Sequence, residues 1–358
     1  MAAVQAASYW VGIDAGVASA NLCIVDAQGN IICESECSAR PADVASALAA
    51  VPREAVEQVA LEAGCSTYLT RKLRQIGYRV VVLESIKAQR LLRIRRNKSD
   101  INDARGLADI ARLSGGALGE VHLKSLDCQC IRTRLRLRYK LIQHRMAAEG
   151  FVRSLIRLNG GQWPRTDTTR IRSRAEGAIA QIELSEGVDL SDEVLPLVEI
   201  AEGLRTHLKQ TDAWLAKAAR SHPVCSRFLE IPGVGPICAL SFYSAVEDPW
   251  RFSRSTDVAA YLGLTPRLHQ SGSTKRMLRI TKMGNKLTRT NLVQAANALL
   301  MTRKKTSSIQ EWGHSLSARI GVRKARVAVA RKLSVLMLSM WKHDSSFNVE
   351  KLSGMQSL

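Results

Sequence analysis

Residues 56–83 read VEQVALEAGCSTYLTRKLRQIGYRVVVL, and this stretch decides the fold class. Val56 to Glu62 is a short apolar run that ends on an acid and is followed by Ala63-Gly64. Ser66 to Ile76 reads as a helix, and Tyr78 to Leu83 is a second apolar run with strand composition. Towards the N-terminus, Tyr9 to Asp14 (YWVGID) repeats the apolar run that ends on an acid, here before Gly16. It reads as a buried strand delivering Asp14 to the sheet edge. Asn21 to Asp26 and Ile31 to Cys37 flank Gln28-Gly29-Asn30, the signature of a hairpin. An Ala-rich helix runs from Pro41 to about Val51. A hairpin followed by strands alternating with helices predicts an α/β domain with a mixed sheet.

Next comes NKSDINDARGLAD, residues 97–109, which places Asp100 and Asp103 three residues apart. In a helix that spacing stacks both carboxylates on one face, one turn apart. Ser99 is the expected N-cap, and Asp109 falls on the opposite face. Taken by itself, the pair is an ordinary capped helix whose first-turn acids complement the dipole. Its setting is different: ten Lys or Arg and one acid, Glu84, lie between Arg71 and Lys98. Asp14 and Glu62, at two strand ends, can converge with Asp100 and Asp103 from a helix packed on the sheet. Four carboxylates together require cations, and hard oxygen donors suit Mg²⁺ or Mn²⁺. The matching chemistry is metal-dependent phosphoryl transfer.

The whole chain carries 52 Lys and Arg against 32 Asp and Glu, a net charge of +20, so a polyanion is the expected partner. The signs are segregated. Thr265 to Ser345 holds seventeen basic residues and two acids, whereas Glu176 to Glu202 holds eight acids and no Lys or Arg. Such separation argues for a dedicated nucleic-acid-binding lobe. Eight cysteines occur without any CxxC pair or histidine at zinc spacing, and they read as reduced thiols. The N-terminal MAAVQAASYW has no signal-peptide character, and no apolar run approaches the ~20 residues that span a bilayer. The expectation is a cytoplasmic protein with no membrane partner.

A length of 358 residues, at ~100–200 per domain, suggests two or three domains. The reading is 1–123 as the α/β domain, 124–222 as a helical linker, 223–345 as a mostly helical C-terminal domain and 346–358 as a flexible tail. Leu123 to Leu158 reads as one long basic helix, broken by Gly160-Gly161 and Pro164. Ser191 to about Ala219 reads as a second. Val194, Leu197, Ala201, Leu204, Leu208, Thr211, Leu215 and Ala218 keep three-then-four spacing along it, as in a coiled-coil seam. That seam serves either a spacer of two packed helices or a contact between protomers.

Beyond His222-Pro223, Phe228 to Val246 has the pattern of a helix-hairpin-helix, with Gly233 and Gly235 permitting the tight turn and exposing amides that could hold a phosphate. A plain helical corner is the alternative. An SGS turn at residues 271–273 follows in a basic loop. Asn285 caps a helix to about Met301, and Arg323 to Trp341 forms another, lined by Arg323, Lys324, Arg326, Arg331 and Lys332. Lys275, Arg276, Arg279, Lys282 and Lys286 add to the basic surface expected to meet nucleic acid.

GIDAG with Asp14, LEAG with Glu62 and KSDINDA with Asp100 and Asp103 together resemble the DEDD-type insertion-sequence transposases related to the Piv DNA invertase. IPGVGP, AAYLGLTPRLHQSGSTKR and MGNKLTRTNLVQAA resemble the C-terminal domain of the same family. GIDAG also resembles the first phosphate loop of actin-like ATPases and sugar kinases, but no second phosphate loop or adenosine motif accompanies it. The transposase resemblance implies a RuvC-like (RNase H-like) first domain, a coiled-coil linker and a helical C-terminal domain. It implies Mg²⁺ (or Mn²⁺) at Asp14, Glu62, Asp100 and Asp103, with Ser271 as the serine nucleophile and Ser273 its local competitor. It also implies DNA as substrate, a non-coding guide RNA, a homo-oligomer (dimer or tetramer) and association with a prokaryotic nucleoid. The rivals are a Piv-like invertase or RuvC-like junction nuclease using water and metal without a guide, and a non-catalytic nucleic-acid-binding protein.

Overall fold

The computed structural model describes residues 7–64, 66–92, 99–114, 120–163, 171–271, 274–302 and 307–348. The chain folds as two units, Met1–Leu123 and Lys124–Leu358. The first is a mixed α/β unit, and the remainder is mostly helical.

The N-terminal unit runs β1 (Tyr9–Ala15), β2 (Ser19–Val25), β3 (Ile31–Ser38), α1 (Pro41–Leu48), β4 (Val56–Glu62), α2 (Thr67–Gln75), β5 (Val80–Leu83), α3 (Ser85–Leu92) and α4 (Asp100–Ser114). Its five-stranded sheet has the order β3-β2-β1-β4-β5. β1 to β3 form an antiparallel meander, and β1, β4 and β5 are parallel. The strand expected from Tyr78 begins at Val80, because α2 ends in a Schellman turn that uses the residues between. Gly77 takes φ +98°, its N–H bonds the Arg74 carbonyl, and the Tyr78 N–H bonds the Leu73 carbonyl.

Alternation along the strands divides the unit into two layers. Val11 and Ile13 point into a core with Val44, Leu48, Leu69 and Leu73, under α1 and α2. Trp10 points to the other side, where it packs with Ala60, Leu83, Leu107 and Ala111 and with Cys23, Val25, Ala104 and Ala108. That second face belongs to α4.

The C-terminal unit contains α5 (Leu126–Leu158), α6 (Ile171–Glu186), α7 (Ser191–Ser221), α8 (Pro223–Phe228), α9 (Pro236–Val246), α10 (Asp257–Tyr261), the hairpin of β6 (Pro266–Ser271) and β7 (Thr274–Ile280), α11 (Lys286–Met301), α12 (Ser308–Ile320) and α13 (Val322–Lys342). Its main core gathers Phe228, Leu240, Phe242, Leu292, Leu299, Val329, Leu333 and Met337. Phe228 and Phe242 meet edge to face with centroids 5.6 Å apart.

α7 packs along α5 of the same chain. The pairs Arg138–Asp212 and Arg205–Glu149 and the stacking of Arg134 on Trp214, 4.2 Å to the ring centroid, run in opposite order along the two helices, so these are antiparallel. The buried residues of α7 are Val194, Val198, Ala201, Thr211, Leu215 and Ala219. Val198 and Ala219 replace Leu197 and Ala218 of the expected seam, and Leu204 and Leu208 are half-exposed. A helix with 3.6 residues per turn drifts off a strict 3.5-residue repeat unless it supercoils. The expected tail is also tied down at its start: the Phe347 N–H donates to Glu230 Oε2 at 2.8 Å, and its ring packs on the core. Residues 349–358 lie outside the described residues.

Candidate active site and nucleic-acid surface

The arrangement begins at a residue with no side chain. Gly12 lies on the α4 face of β1, and a Cβ there would stand 2.1 Å from the Ala104 carbonyl oxygen and 2.2 Å from the Ala108 nitrogen. Glycine therefore lets the backbone of α4 rest directly on the central strand. Side chains two residues apart on a strand share a face, so Asp14 emerges on the α4 side, as does Glu62 two residues after Ala60. β1 and β4 are parallel with Ile13 opposite Leu61, and Asp14 and Glu62 are the next residues on each strand. The turn after β4 is fixed by Ser66 Oγ donating to the Glu62 carbonyl (2.7 Å) and Ser85 Oγ donating to the Ala63 carbonyl (2.6 Å).

α4 runs against β1. Ala104, in its first turns, lies over Gly12, whereas Arg112 near its end reaches the hairpin between β2 and β3 and donates to the Ala27 carbonyl at 3.2 Å. The N-terminus of α4 thus lies at the end of the sheet where β1 and β4 deliver their acids. Ser99 caps it, accepting the Asn102 N–H through its side chain at 3.3 Å and the Asp103 N–H through its carbonyl at 2.9 Å. Asp100 and Asp103 occupy that first turn. All four acids therefore share one corner of the N-terminal unit.

The oxygen donors fit a hard divalent cation in kind. Among the described residues, no three His, Cys, Asp or Glu side chains stand close enough to hold a metal together, so the corner is an open set of carboxylates. Asp109 pairs with Arg112 at 3.8 Å, away from this corner.

Sequence reading missed the residue that holds α4 in register. Arg105 forms a two-pronged ion pair with Glu34 on β3, Nε to Oε1 at 2.5 Å and Nη2 to Oε2 at 2.7 Å. The guanidinium holds the Glu34 carboxyl below its usual range, while burial pushes the neighbouring Cys23 thiol up to about 12. The only prior signal was a lone arginine inside DINDARG, and nothing in the sequence paired it with a hairpin residue 71 positions earlier.

In the C-terminal unit, the segment from Phe228 to Val246 contains α8, a turn through Gly233 and α9. Gly233 has φ +84°, and a Cβ there would stand 2.6 Å from the Ala295 carbonyl oxygen of α11. Its visible role is close helix packing. Gly235 is the N-cap residue of α9 and has open space around its Cα.

Ser271 ends β6, opposite Thr274 across the hairpin. Its side chain, those of Lys275 and Arg276, and the Gly272-Ser273 turn lie outside the described residues. At the base of the hairpin a cleft of about 410 Å³ is lined by Arg267, Arg279, Lys282, Leu278 and Ile280. Beside Lys282, Gly263 and Gly284 let two backbone segments cross closely. A Cβ at Gly263 would meet the Met283 oxygen at 2.3 Å, and one at Gly284 the Tyr261 oxygen at 2.1 Å. Arg289 pins the crossing by donating to the Leu262 and Met283 carbonyls at 2.9 and 2.8 Å. Lys282 takes φ +56° at this crossing. Lys286 is exposed at the start of α11; Arg323 and Lys324 are exposed at the start of α13, where Arg326 is half-buried. No described helix is long and apolar enough to cross a membrane.

Comparison with known proteins covers both regions. Residues 11–158, which include all four acids, match a family model described as a transposase, of the DEDD type found in IS110 elements. Residues 225–311, which include Ser271 and the basic cleft, match the "Transposase IS116/IS110/IS902 family" model. The transposase for insertion sequence element IS1111A of Coxiella burnetii is 30% identical over 262 residues, 71% of this chain and 69% of that protein. A Pseudomonas aeruginosa protein named as a family 20 transposase is 26% identical over 300 residues, 81% of this chain and 85% of that protein. The transposase for element IS1328 of Yersinia enterocolitica is 24% identical over 276 residues, 75% and 78% of the two chains. A DEDD corner on a mixed sheet, a basic helical unit and these matches lead to one conclusion: the chain belongs to the IS110-type DEDD insertion-sequence transposases, a family of enzymes that cut and rejoin DNA.

Proposed function

We propose that this transposase cuts and rejoins the DNA of its element with Asp14, Glu62, Asp100 and Asp103 as the ligands of Mg²⁺ (or Mn²⁺), on a RuvC-like first domain, and with Ser271 as nucleophile. The observation that carries the reading is the antiparallel seating of α4 on Gly12, which brings Asp100 and Asp103 to the strand ends that bear Asp14 and Glu62. A divalent ion held there would offset charge developing on the phosphoryl oxygens. The Ser271 hydroxyl would form the covalent bond to phosphorus, and the departing DNA oxygen would take up a proton.

Arg267, Arg279 and Lys282 in the cleft, with Lys286, Arg323 and Lys324 on the helices and Gly235 at the start of α9, are the proposed phosphate contacts. Lys275 and Arg276, beside Ser271 in sequence, belong to the same proposed surface. A guide RNA is proposed as a second polyanionic partner, since cationic surfaces of this kind hold either nucleic acid. A homo-oligomer, dimer or tetramer, is supported by α5. Leu126, Leu137, Phe151 and Leu158 are 70, 47, 56 and 81% exposed and fall on one three-then-four stripe of that helix.

The test uses DNA carrying the element's junction and the protein purified with any RNA that accompanies it. Asp100→Asn should abolish Mg²⁺-dependent cutting and retain DNA affinity. Ser271→Ala should abolish both cutting and the covalent protein–DNA adduct, with Ser273→Ala as control. Nicking that survives Ser271→Ala would favour a water-driven nuclease. Recombination without enriched RNA would favour the Piv-like reading.

A further inference from the structure

We propose that Trp250 is a stacking platform for an unpaired base of a DNA strand. The proposal rests on the DNA-acting reading and adds a contact that its phosphate-binding cations do not provide. Exposed apolar side chains scattered singly are ordinary. Trp250 is 72% exposed, yet its backbone is held in a capped turn and Lys342 stands over its ring.

The residue sits in a one-turn 3-10 helix, Pro249–Arg251, capped by Asp248, whose carboxylate accepts the Trp250 N–H at 2.9 Å. Buried Pro249 anchors the turn below it. On one side Lys342 places its ammonium 5.6 Å from the indole centroid and is itself fixed by donating to the Phe252 carbonyl. On the other side of the turn Arg251 lies 5.7 Å from the Phe252 ring and 5.5 Å from the Tyr261 ring, and donates to the Val246 carbonyl at 3.3 Å. Arg254 follows with a side chain 83% exposed. The nearby acids are engaged: Asp248 caps the turn, Asp257 accepts the Arg254 N–H at 3.1 Å and pairs with its guanidinium at 3.8 Å, Glu247 pairs with Lys124 at 3.9 Å, and Asp344 pairs with Arg227.

An indole carried on an anchored turn lowers the entropy lost on stacking, and cations on and beside that turn supply the attraction for a phosphodiester strand. In a duplex both faces of an internal base are covered by its neighbours, so a protein ring can stack only on a base that is unpaired or turned out. Cutting and rejoining DNA exposes such bases at the exchanged ends. The occupant that matches an exposed indole under Lys342, on a turn followed by Arg251 and Arg254, is therefore an unpaired nucleotide of DNA.

The experiment measures fluorescence anisotropy of the full chain with a fluorescein-labelled oligothymidylate, the same strand as a duplex with oligoadenylate, and an oligouridylate. Trp250→Ala should weaken binding to a strand of about 15 nucleotides by ~5- to 100-fold, Trp250→Phe should restore most of it, and duplex affinity should stay within about 2-fold. Circular dichroism of the variants controls for folding, which a 72% exposed side chain should leave intact. Equal losses on strand and duplex, or no loss on the strand, would overturn the proposal. A loss confined to oligouridylate would overturn the assignment to DNA. Failure of the unaltered chain to bind even the duplex would count against the transposase reading instead.

Discussion

Replacing Gly12 with alanine asks whether the seat of α4 on β1 sets the acid corner. The new Cβ would stand 2.1 Å from the Ala104 oxygen and 2.2 Å from the Ala108 nitrogen, more than 1 Å short of the 3.4 Å at which ordinary contact begins. Both obstacles are helix backbone, so no side chain can rotate away and α4 itself must lift. Overpacking of this kind costs about 1–3 kcal/mol, occasionally more, and the upper end applies because the helix also carries the Arg105–Glu34 pair. The lift would carry Asp100 and Asp103 away from Asp14 and Glu62 by about 1 Å, and a misplacement of that size at a reacting centre costs on the order of 10²-fold in rate. Urea unfolding should show a loss of about 2–3 kcal/mol in the N-terminal unit. Mg²⁺-dependent DNA cutting should fall by about 100-fold with DNA affinity retained. A Gly12→Ala protein with unaltered stability and cutting rate would refute the reasoning, because α4 would then not be pressed on the strand.

Gly177 gives the opposite expectation. It is exposed within α6 with open space around its Cα, so Gly177→Ala should stabilise the C-terminal unit by about 0.5–1 kcal/mol in urea melts. Glu149 accepts from Arg205 Nη2 at 2.9 Å and Nε at 3.1 Å, with its side chain 15% exposed. Glu149→Ala should cost about 1–3 kcal/mol in the same melts by removing the carboxylate that pairs with Arg205 between α5 and α7. Lys124 is pushed down from 10.5 to about 8 by burial, with Arg251 adding, so between those values the unfolded chain holds more protons and stability rises with pH. Burial pushes the thiols of Cys128, Cys225 and Cys238 up from 9 to about 11, 12 and 12, and there the folded chain holds more protons, so stability falls above pH 9. Thermal melts should peak between pH 8 and 9, and Lys124→Met should remove the rise below 9.

Elements with their own strong local signals were legible. The apolar runs at 9–14 and 56–62 are strands, Gln28-Gly29-Asn30 turns a hairpin, Ser99 and Asn285 cap helices, and the long helices end near the expected breakers. Elements without a contrasting face were not. β6 and β7 form a two-stranded hairpin rich in Arg, Lys and polar residues, so no apolar alternation marked them. α3, α6 and α12 are further helices left unread, and α6 follows the stretch that breaks the long basic helix. In the acid corner, residue types and spacing named Asp14, Glu62, Asp100 and Asp103. Arg105 escaped because its partner Glu34 lies on β3, and ion pairs across 71 positions leave no periodic trace.

By itself the sequence determined the mixed α/β character of the first unit, the basic character of the chain and the transposase resemblance, because each rests on local patterning or on residue type. Tertiary structure alone decided the rest. Only packing shows that Gly12 is the seat of α4, since a glycine in GIDAG reads equally as a turn residue. Only the direction of α4, fixed at one end by Ala104 and at the other by Arg112, places its acids at the strand ends where Asp14 and Glu62 emerge. The seam of α7 was visible as a pattern, but its partner, α5 of the same chain, was not, because a stripe of apolar residues specifies burial without specifying what covers it. Trp250 was one aromatic among few until the turn that holds it and the cations near it were assembled from three separate segments of chain.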